Sequence, residues 1–345
     1  MTTANSLIAK IEAGSALERR AAESLMEELL SGRVDTPAIV RLLESLNLRR
    51  VTSAELSGFA TVMRRHAAPV FSPTEQKPEN MVDTCGTGGD DSGTFNISTA
   101  AAIVASAAGA RVAKHGNRSA SSRCGSADVL EALGVDINLP LVRFGRAIRE
   151  IGIGFLFAPT AHGAARYAAA ARKQIGKRTI FNLLGPLTNP AGTQAQVLGV
   201  FHADLIDLVA ATLADLGIER AFVVHGAGGL DEISLAGETQ IAAVHAGTLR
   251  RFTVTPEDFG LKRASRETLK GGLARDNAAL VQRIFEGESG APHDVVVANA
   301  AAALAVTGHA IGFRDAAQLA AETIGSGRAL EKLLQLKDYS RNGAI

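Results

Sequence analysis

The sharpest local signal in the sequence is Asp83-Thr-Cys-Gly-Thr-Gly-Gly-Asp90, followed shortly afterwards by Asn96-Ile-Ser-Thr99. Residues 81–84 predict a strand leading into this stretch, and the Ala-rich run from Ser98 predicts a helix leading out of it. Glycines let backbone N–H groups approach an anion, and the helix N-terminus adds the positive end of its dipole. The order of strand, glycine loop and helix therefore predicts a phosphate-binding loop in an α/β protein, with a plain tight turn as the alternative.

Two common nucleotide-binding loops do not fit this stretch. It does not end in Gly-Lys-Ser/Thr, as a Walker loop does, and Asp91 stands where the dinucleotide fingerprint has its third glycine. The hydroxyls of Ser98 and Thr99 and the amide of Asn96 are nevertheless suitable phosphate donors. We therefore expect a phosphate ligand of a different class.

Outward from this loop, short β-branched runs alternate with Ala-rich helical segments from residue 81 onward. This alternation predicts a central, mostly parallel sheet flanked by helices. We further expect an apolar, proline-bounded loop at 181–190 and a helix over 313–336. The predicted strands are 81–84, 111–114, 153–157, 196–201, 220–224 and 240–244, and the other predicted helices are 98–108, 127–133, 141–151, 164–172, 205–216 and 295–304.

The N-terminal part of the chain predicts helices only. Helix starts are indicated by Ser15 with Glu18, by Thr36 before Pro37, and by Thr52 with Glu55. Residues 69–80 are polar and proline-rich, which is typical of an exposed connection. We therefore expect a small helical domain over 1–72 and a large α/β domain over 73–345.

Composition excludes several classes of function. The chain has 345 residues, 46% of them hydrophobic, and 36 Lys plus Arg against 35 Asp plus Glu, so its formal net charge is +1. This balance gives no reason to expect nucleic acid or an anionic membrane as a partner. Two cysteines form no disulfide framework, and we find neither a membrane span nor a presequence, so we expect a cytoplasmic protein.

A second cluster, Lys114-His-Gly-Asn-Arg-Ser-Ala-Ser-Ser122, follows the second predicted strand. Carboxyl ends of parallel strands share one edge of the sheet, where ligands of open α/β folds bind. Two cations, an amide and several hydroxyls without acidic partners in the cluster suit a diphosphate or a phosphorylated sugar. A solvated surface loop is the alternative.

A third cluster, His225-Gly-Ala-Gly-Gly-Leu-Asp-Glu-Ile-Ser234, places two adjacent carboxylates on a glycine-rich loop after another strand. Adjacent carboxylates repel each other unless a cation joins them. Magnesium prefers one or two carboxylates together with waters and phosphate oxygens, so Asp231 and Glu232 are candidate ligands. An exposed turn is the alternative, and a glycosidase-type acid–base pair fits less well.

A fourth site is indicated by Arg172, which precedes the apolar run Phe181-Asn-Leu-Leu-Gly-Pro-Leu187. A guanidinium beside an apolar wall suits an aromatic carboxylate, because the cation pairs with the carboxylate and the wall covers the ring. An arginine on a helix surface is the alternative.

Taken together, these motifs closely resemble the anthranilate phosphoribosyltransferase family over nearly the whole chain. The motifs that carry the resemblance are Gly86-Thr-Gly-Gly-Asp90, Asn96-Ile-Ser-Thr99, Lys114-His-Gly-Asn-Arg118, Gly125-Ser-Ala-Asp-Val-Leu-Glu-Ala-Leu-Gly134, Arg178-Thr-Ile-Phe-Asn-Leu-Leu-Gly-Pro186 and Gly229-Leu-Asp-Glu-Ile-Ser234. The resemblance implies a small helical domain, which helices from about 160–190 join, and a large α/β domain. It also implies a homodimer formed through the helical domain.

The implied reaction joins the amine of anthranilate to the ribose of 5-phosphoribosyl diphosphate with loss of diphosphate, the second step of tryptophan biosynthesis from chorismate. We expect no covalent enzyme intermediate and no essential strong base, because an aryl amine already exposes its lone pair. Departures from the family pattern occur at Asp91, where glycine is usual, and at 48–53.

The resemblance also implies roles for individual residues. It places 5-phosphoribosyl diphosphate against Gly86, Gly89, Asp90, Thr94, Asn96, Ile97, Ser98, Thr99, Lys114, His115, Gly116, Asn117, Arg118, Ser119, Ala120, Ser121, Ser122 and Ser126. It implies Mg²⁺, as a pair of ions per subunit, held by Ser98, Asp231 and Glu232. It places anthranilate against Gly86, His115, Asn117, Arg172 and Pro186, and gives catalytic roles to Lys114, His115, Asp231 and Glu232.

Two rival functions share parts of this pattern. A pyrimidine nucleoside phosphorylase has the same architecture but uses phosphate, with less demand for a metal at Asp231 and Glu232. A catalytically silent relative that binds nucleic acid would need a basic face and a degraded third cluster. The net charge and the intact Asp231-Glu232 pair argue against the second rival.

Overall fold

The structure is a computed structural model that describes residues 3–46, 51–119 and 123–342. The predicted contacts of Ala120, Ser121 and Ser122, and part of the departure at 48–53, lie outside the described residues. Up to residue 65 the described chain is helical, as predicted. Its helices are α1 (Thr3–Glu12), α2 (Arg19–Leu30), α3 (Thr36–Ser45) and α4 (Ser53–Arg65).

One of the three predicted helix caps is confirmed and two are wrong. Thr52 and Glu55 form a capping box at α4. Glu55 also accepts a hydrogen bond from the backbone N–H of Leu17 at 3.0 Å, which holds the chain before α2 extended. Helix α2 therefore begins after Glu18, and Ser15 does not cap it. The cap of α3 is Asp35 rather than Thr36, since its carboxylate accepts from the N–H of Ala38 at 2.8 Å.

From residue 81 the described chain alternates between strands and helices. The strands are β1 (Met81–Gly86), β2 (Arg111–Gly116), β3 (Ile153–Phe157), β4 (Ala195–Gly199), β5 (Arg220–Gly226), β6 (Thr239–His245) and β7 (Thr248–Val254). The helices are α5 (Ile97–Ala107), α6 (Ser126–Ala132), α7 (Leu141–Glu150), α8 (Ala158–Ala161), α9 (Ala169–Ile175), α10 (Phe181–Leu187), α11 (Ile206–Asp215), α12 (Ala274–Phe285), α13 (Ala291–Val306), α14 (Gly312–Gly325) and α15 (Arg328–Asn342).

The seven strands form one sheet in the order β3-β2-β1-β4-β5-β6-β7. The first five strands of this order run parallel, and β6 and β7 continue the sheet antiparallel. The six predicted strands and the mostly parallel sheet are confirmed. Strand β7 was not predicted, because it is an edge strand with exposed residues such as Arg250 and Arg251 and lacks the apolar pattern of a buried strand.

Alternate residues of the central strands point into two different cores. Val197 of β4 belongs to a core formed with helices such as α5, α13 and α14. Its neighbour Leu198 belongs to a second core that also contains residues of α1–α4, α9, α10 and α11. Because successive side chains of a strand point to opposite faces of the sheet, the N-terminal helices and residues 168–187 pack together on one of those faces.

Two further predictions need correction. Residues 181–190 are not a loop throughout, because Phe181–Leu187 forms helix α10. Pro186 stands in its last turn and has no N–H to donate to the carbonyl four residues earlier, which agrees with a helix that ends one residue later. The predicted helix 313–336 is divided into α14 and α15, with Gly327 at a φ of 80° between them. Within the described ranges, no helix combines the length and the apolar character that crossing a membrane requires.

Candidate active site

The three predicted loops meet at one edge of the sheet. β1, β2 and β5 run parallel within it, so the loops that follow them emerge on the same side. A cavity of about 340 Å³ opens between these loops and the segment that carries α9 and α10. Its walls contain every predicted site residue that the structure describes, namely Gly86, Gly89, Asp90, Thr94, Asn96, Ile97, Ser98, Thr99, Lys114, His115, Gly116, Asn117, Arg118, Ser119, Ser126, Arg172, Pro186, Asp231 and Glu232.

Several wall residues were missed by sequence reasoning. Thr87, Gly88, Asn182 and Gly185 stand inside the quoted motifs, so the motif itself was the available signal. Ala158 comes from the short helix after β3 and had no signal, because an alanine carries no chemistry to single it out. Phe181 belongs to the apolar run already predicted as the wall of the fourth site, and the remaining missed wall residues are Cys85, Ser92, Gly93, Phe95, Cys124 and Gly125.

The first and third loops are in direct contact. The N–H of Gly88 donates to the Asp231 carboxylate at 2.7 Å, so the glycine loop holds an acidic side chain across the cavity. The close approach of Asp231 explains why residue 86 is a glycine, since a Cβ there would lie 2.9 Å from the carboxyl carbon of Asp231 and closer still to its Oδ2. Gly199 at the end of β4 is equally constrained, because a Cβ there would collide with the backbone of Asp231.

Glu232 reaches the start of helix α5. Its Oε1 accepts from the backbone N–H of Ser98 at 3.1 Å, in the helix-terminal position that favours negative charge. Loss of surrounding water raises the pKa of both Asp231 and Glu232. The charge of Asp90 raises the pKa of Asp231 further, and the charges of Asp231 and Asp90 raise that of Glu232. Two carboxylates under mutual repulsion are a place where a cation is strongly stabilised.

The donor set around these carboxylates suits magnesium. Asp231 and Glu232 offer hard oxygen ligands, and Ser98 adds a hydroxyl beside them. Across the described part of the chain, no group of three or more His, Cys, Asp or Glu side chains is arranged to hold a metal ion. A cation here would therefore complete its coordination with water and substrate oxygens, which is the habit of Mg²⁺.

Lys114 brings a cation to the floor of the same cavity. The residue is only 4% exposed, and its ammonium donates to the carbonyl of Thr84 at 2.5 Å and to the Ser98 hydroxyl at 3.4 Å. Burial lowers the pKa of Lys114, while the charge of Asp83 opposes this effect. The hydroxyl of Thr99 is buried nearby without a hydrogen-bond partner, so it is available to a phosphate oxygen.

Arg118 differs from expectation. The sequence suggested a cationic loop without acidic partners, but the Arg118 guanidinium pairs with Asp128 at 3.0 Å and with Glu131 at 2.5 Å on helix α6. These acids lie beyond the cluster in sequence, and the helix turn brings them back to it. Part of the expected positive charge of the second loop is therefore already neutralised within the protein.

The fourth predicted site lies where Arg172 meets the apolar residues of α10. Its guanidinium carbon is 5.1 Å from the centre of the Phe181 ring, a cation–π distance. His115, which lines the cavity, packs edge to face against His162, with ring centres 5.2 Å apart. Burial, reinforced by His162, lowers the pKa of His115 to about 3, so its imidazole is neutral at physiological pH.

Asp91 adopts a conformation that explains why glycine is usual at this position. Its φ is 53°, in the left-handed region, where a side chain is disfavoured. The Asp91 carboxylate accepts from the Arg178 guanidinium at 2.9 Å, and that guanidinium also contacts the carbonyl of Gly89. Arg178 in turn stacks on Phe201, 4.6 Å from the ring centre, so this pair ties the glycine loop to the segment before α10.

Comparison with known proteins bears directly on this arrangement. Residues 78–330 match the family model described as glycosyl transferase family, a/b domain, and residues 5–67 match its helical bundle domain. The anthranilate phosphoribosyltransferase of Pelotomaculum thermopropionicum is 49% identical over 97% of this chain and 96% of its own length. The chain belongs to the anthranilate phosphoribosyltransferase family.

Solved structures agree with this membership. The anthranilate phosphoribosyltransferase of Thermus thermophilus superposes with a TM-score of 0.91 at 43% identity, covering 97% of this chain and 99% of the other. That of Saccharomyces cerevisiae, in complex with PRPP and Mg, superposes with a TM-score of 0.88 at 25% identity, covering 99% and 98%. The resemblance and the expected fold of a helical domain plus an α/β domain are thereby confirmed, and the chain is a pentosyl-transferring enzyme of this family.

Proposed function

We propose that this enzyme transfers the phosphoribosyl group of 5-phosphoribosyl diphosphate to the amine of anthranilate, giving N-(5-phosphoribosyl)anthranilate and diphosphate. One observation carries the proposal. A single cavity joins a glycine loop, a deeply placed lysine and two adjacent carboxylates to a slot formed by Arg172 and apolar residues. Each half of the cavity matches one substrate, since the first suits a diphosphate and the second suits a flat aromatic acid.

Magnesium fits the carboxylate side of the cavity. Asp231, Glu232 and Ser98 would hold it, and we propose a pair of ions per subunit. When bound, the metal supplies positive charge that neutralises the diphosphate oxygens. The contacts of Asp231 with Gly88 and of Glu232 with Ser98 would keep both carboxylates oriented towards the ligand.

Departure of the diphosphate requires charge stabilisation at fixed positions. Lys114 provides an ammonium already held by Thr84, so little reorganisation is needed when negative charge develops on the leaving oxygens. The unpaired Thr99 hydroxyl adds a donor on the same side, and the positive end of the α5 dipole adds attraction. As the bond between ribose C1 and the diphosphate oxygen breaks, C1 takes on oxocarbenium-like character. The amine nitrogen bonds to C1 without a covalent enzyme intermediate, and its proton passes to the departing diphosphate or to water.

Anthranilate would lie in the second half of the cavity, with its carboxylate at the Arg172 guanidinium and its ring against Pro186 and Phe181. Gly86 and Asn117 complete the expected contacts. His115, neutral because burial depresses its pKa, is a poor base, so we assign it to orienting the amine rather than to taking its proton. The aryl amine needs no stronger activation.

Further parts of the proposal concern assembly and location. We propose a helical domain over 1–72, joined by helices from about 160–190, and an α/β domain over 73–345. Residues of both helical segments share one core, which supports this division. From the family resemblance we also propose a homodimer formed through the helical domain, acting in the cytoplasm.

The proposed reaction is tested by following the loss of anthranilate fluorescence on addition of 5-phosphoribosyl diphosphate, with magnesium and with a chelator. We expect turnover that depends on both the second substrate and the metal. Phosphate-dependent cleavage of a pyrimidine nucleoside, without this turnover, would instead support the phosphorylase function. Salt-sensitive DNA binding with no turnover would support a silent relative.

A further inference from the structure

A buried asparagine outside the cavity wall is linked to one of the predicted phosphoribosyl contacts. Asn277 lies in the first turn of helix α12, and only 2% of its surface is exposed. Its side-chain Nδ2 donates to Oδ1 of Asn96 at 3.0 Å. Asn277 was not among the predicted site residues and belongs to no motif that carried the family resemblance.

The two amides form a short chain of hydrogen bonds whose direction is fixed at both ends. At one end, the backbone N–H of Gly272 donates to Oδ1 of Asn277 at 2.7 Å. At the other end, Nδ2 of Asn96 donates to the backbone carbonyl of Cys124 at 3.1 Å. A backbone N–H can only donate and a carbonyl can only accept, so neither amide can be turned over without breaking a bond at its end.

This direction decides which atom of Asn96 is open to a ligand. The Asn96 oxygen accepts from Asn277, which lies outside the cavity wall, whereas the Asn96 amide nitrogen donates one of its two N–H groups to the carbonyl of Cys124, which is a wall residue just after the second loop. A ligand in the cavity therefore meets the N–H side of Asn96. Phosphate and ribose oxygens are acceptors, and an N–H donor suits them, whereas an amide oxygen would repel a phosphate.

The same series of hydrogen bonds joins three segments around the cavity. The segment before α12 pairs with the glycine loop through two backbone bonds, from Gly271 N–H to the Gly93 carbonyl at 2.8 Å and from Phe95 N–H to the Leu269 carbonyl at 3.1 Å. Asn277 adds the side-chain link, and Asn96 extends it to Cys124. A change at Asn277 thus reaches the first and second loops together.

We propose that Asn277 is a positioning residue for the phosphoribosyl substrate, acting through Asn96 by fixing its amide with the N–H side towards the ligand. The inference rests on the proposed function, because it needs 5-phosphoribosyl diphosphate to occupy this cavity. It makes no claim about anthranilate, whose proposed contacts at Arg172 include neither Asn96 nor Asn277.

The test is a double-mutant cycle in the full-length enzyme with Asn277→Leu and Asn96→Ala. Leucine has the same branching and number of side-chain heavy atoms as asparagine but can neither donate to Asn96 nor accept from Gly272. We expect Asn277→Leu to raise KM for 5-phosphoribosyl diphosphate about 10-fold, with KM for anthranilate within about 2-fold of the parent. In the Asn96→Ala background, Asn277→Leu should have no further effect on that KM, because the group it positions is gone.

A matched control is Asp276→Ala at the neighbouring position. The Asp276 carboxylate accepts from Leu273 N–H at 3.1 Å and caps the same helix without touching Asn96. The Asp276→Ala substitution should lower Tm, as the loss of a helix cap does, and leave KM for both substrates unchanged. If Asn277→Leu folds poorly, Asn277→Ala enters the same cycle.

Three outcomes would overturn the inference. Effects that add in the double mutant would show that Asn277 acts independently of Asn96. Equal rises in KM for both substrates, or a rise matched by Asp276→Ala, would show a merely structural role. Failure of the proposed function is distinguishable, because the parent enzyme itself would then show no turnover.

Discussion

Replacing Gly86 by alanine should lower turnover about 100-fold. A Cβ at this position would lie 2.9 Å from the carboxyl carbon of Asp231, and ordinary contacts begin near 3.4 Å. The carboxyl carbon must therefore retreat by about 0.5 Å, which is the tolerance of a catalytic group, and Oδ2, being closer, must move further. A displacement approaching 1 Å in a site of this kind costs on the order of 100-fold in rate.

The assay is the initial rate of anthranilate consumption over a range of magnesium concentrations, with Tm measured in parallel. We expect lower kcat, a higher magnesium requirement and a stability loss of about 1–3 kcal/mol from overpacking. The matched control is Gly325→Ala at the exposed end of α14, where an added Cβ meets open space. A Gly86→Ala enzyme with kcat within about 2-fold of the parent would refute the assigned contact between the first and third loops.

Three further predictions follow from the site. Lys114→Ala or Glu232→Ala should lower kcat about 100-fold or more, and Cys85→Ser far less; equal, minor effects would contradict these roles. Arg172→Ala should raise KM for anthranilate, and a change confined to KM for the phosphoribosyl substrate would contradict the slot. The folded-state pKa of His115 is about 3 against 6.5, so the stability it contributes is present above pH 6.5 and is lost as pH falls. Urea unfolding should show the parent losing about 2 kcal/mol more than His115→Gln between pH 7 and pH 5.

Much of the site could be predicted because its residues lie in short motifs after strands. Gly86, Lys114 and Asp231 follow three parallel strands, and the rule that such strands share a carboxyl edge is enough to bring them together. Arg172 beside Phe181 was also predictable, since the two are close in sequence and chemically complementary.

The remaining features depend on contacts between distant segments. Asn277 is 181 residues from Asn96, and nothing local marks it as different from any helix asparagine. Arg118 appeared unopposed because its acidic partners stand on the next helix. Edge strand β7 lacks a buried apolar face, so the alternation that identifies inner strands is missing there.

The crossing of Asp231 over the end of β4 has an evolutionary consequence. Position 199 admits no side chain at all, because the backbone of Asp231 occupies the space where a Cβ would stand. In a library of random single substitutions selected for growth without tryptophan, codon 199 should stay glycine in every survivor. Neighbouring codons in β4 should vary among small apolar residues. The requirement for glycine at position 199 would thus come from the third loop, because Gly199 itself does not line the cavity.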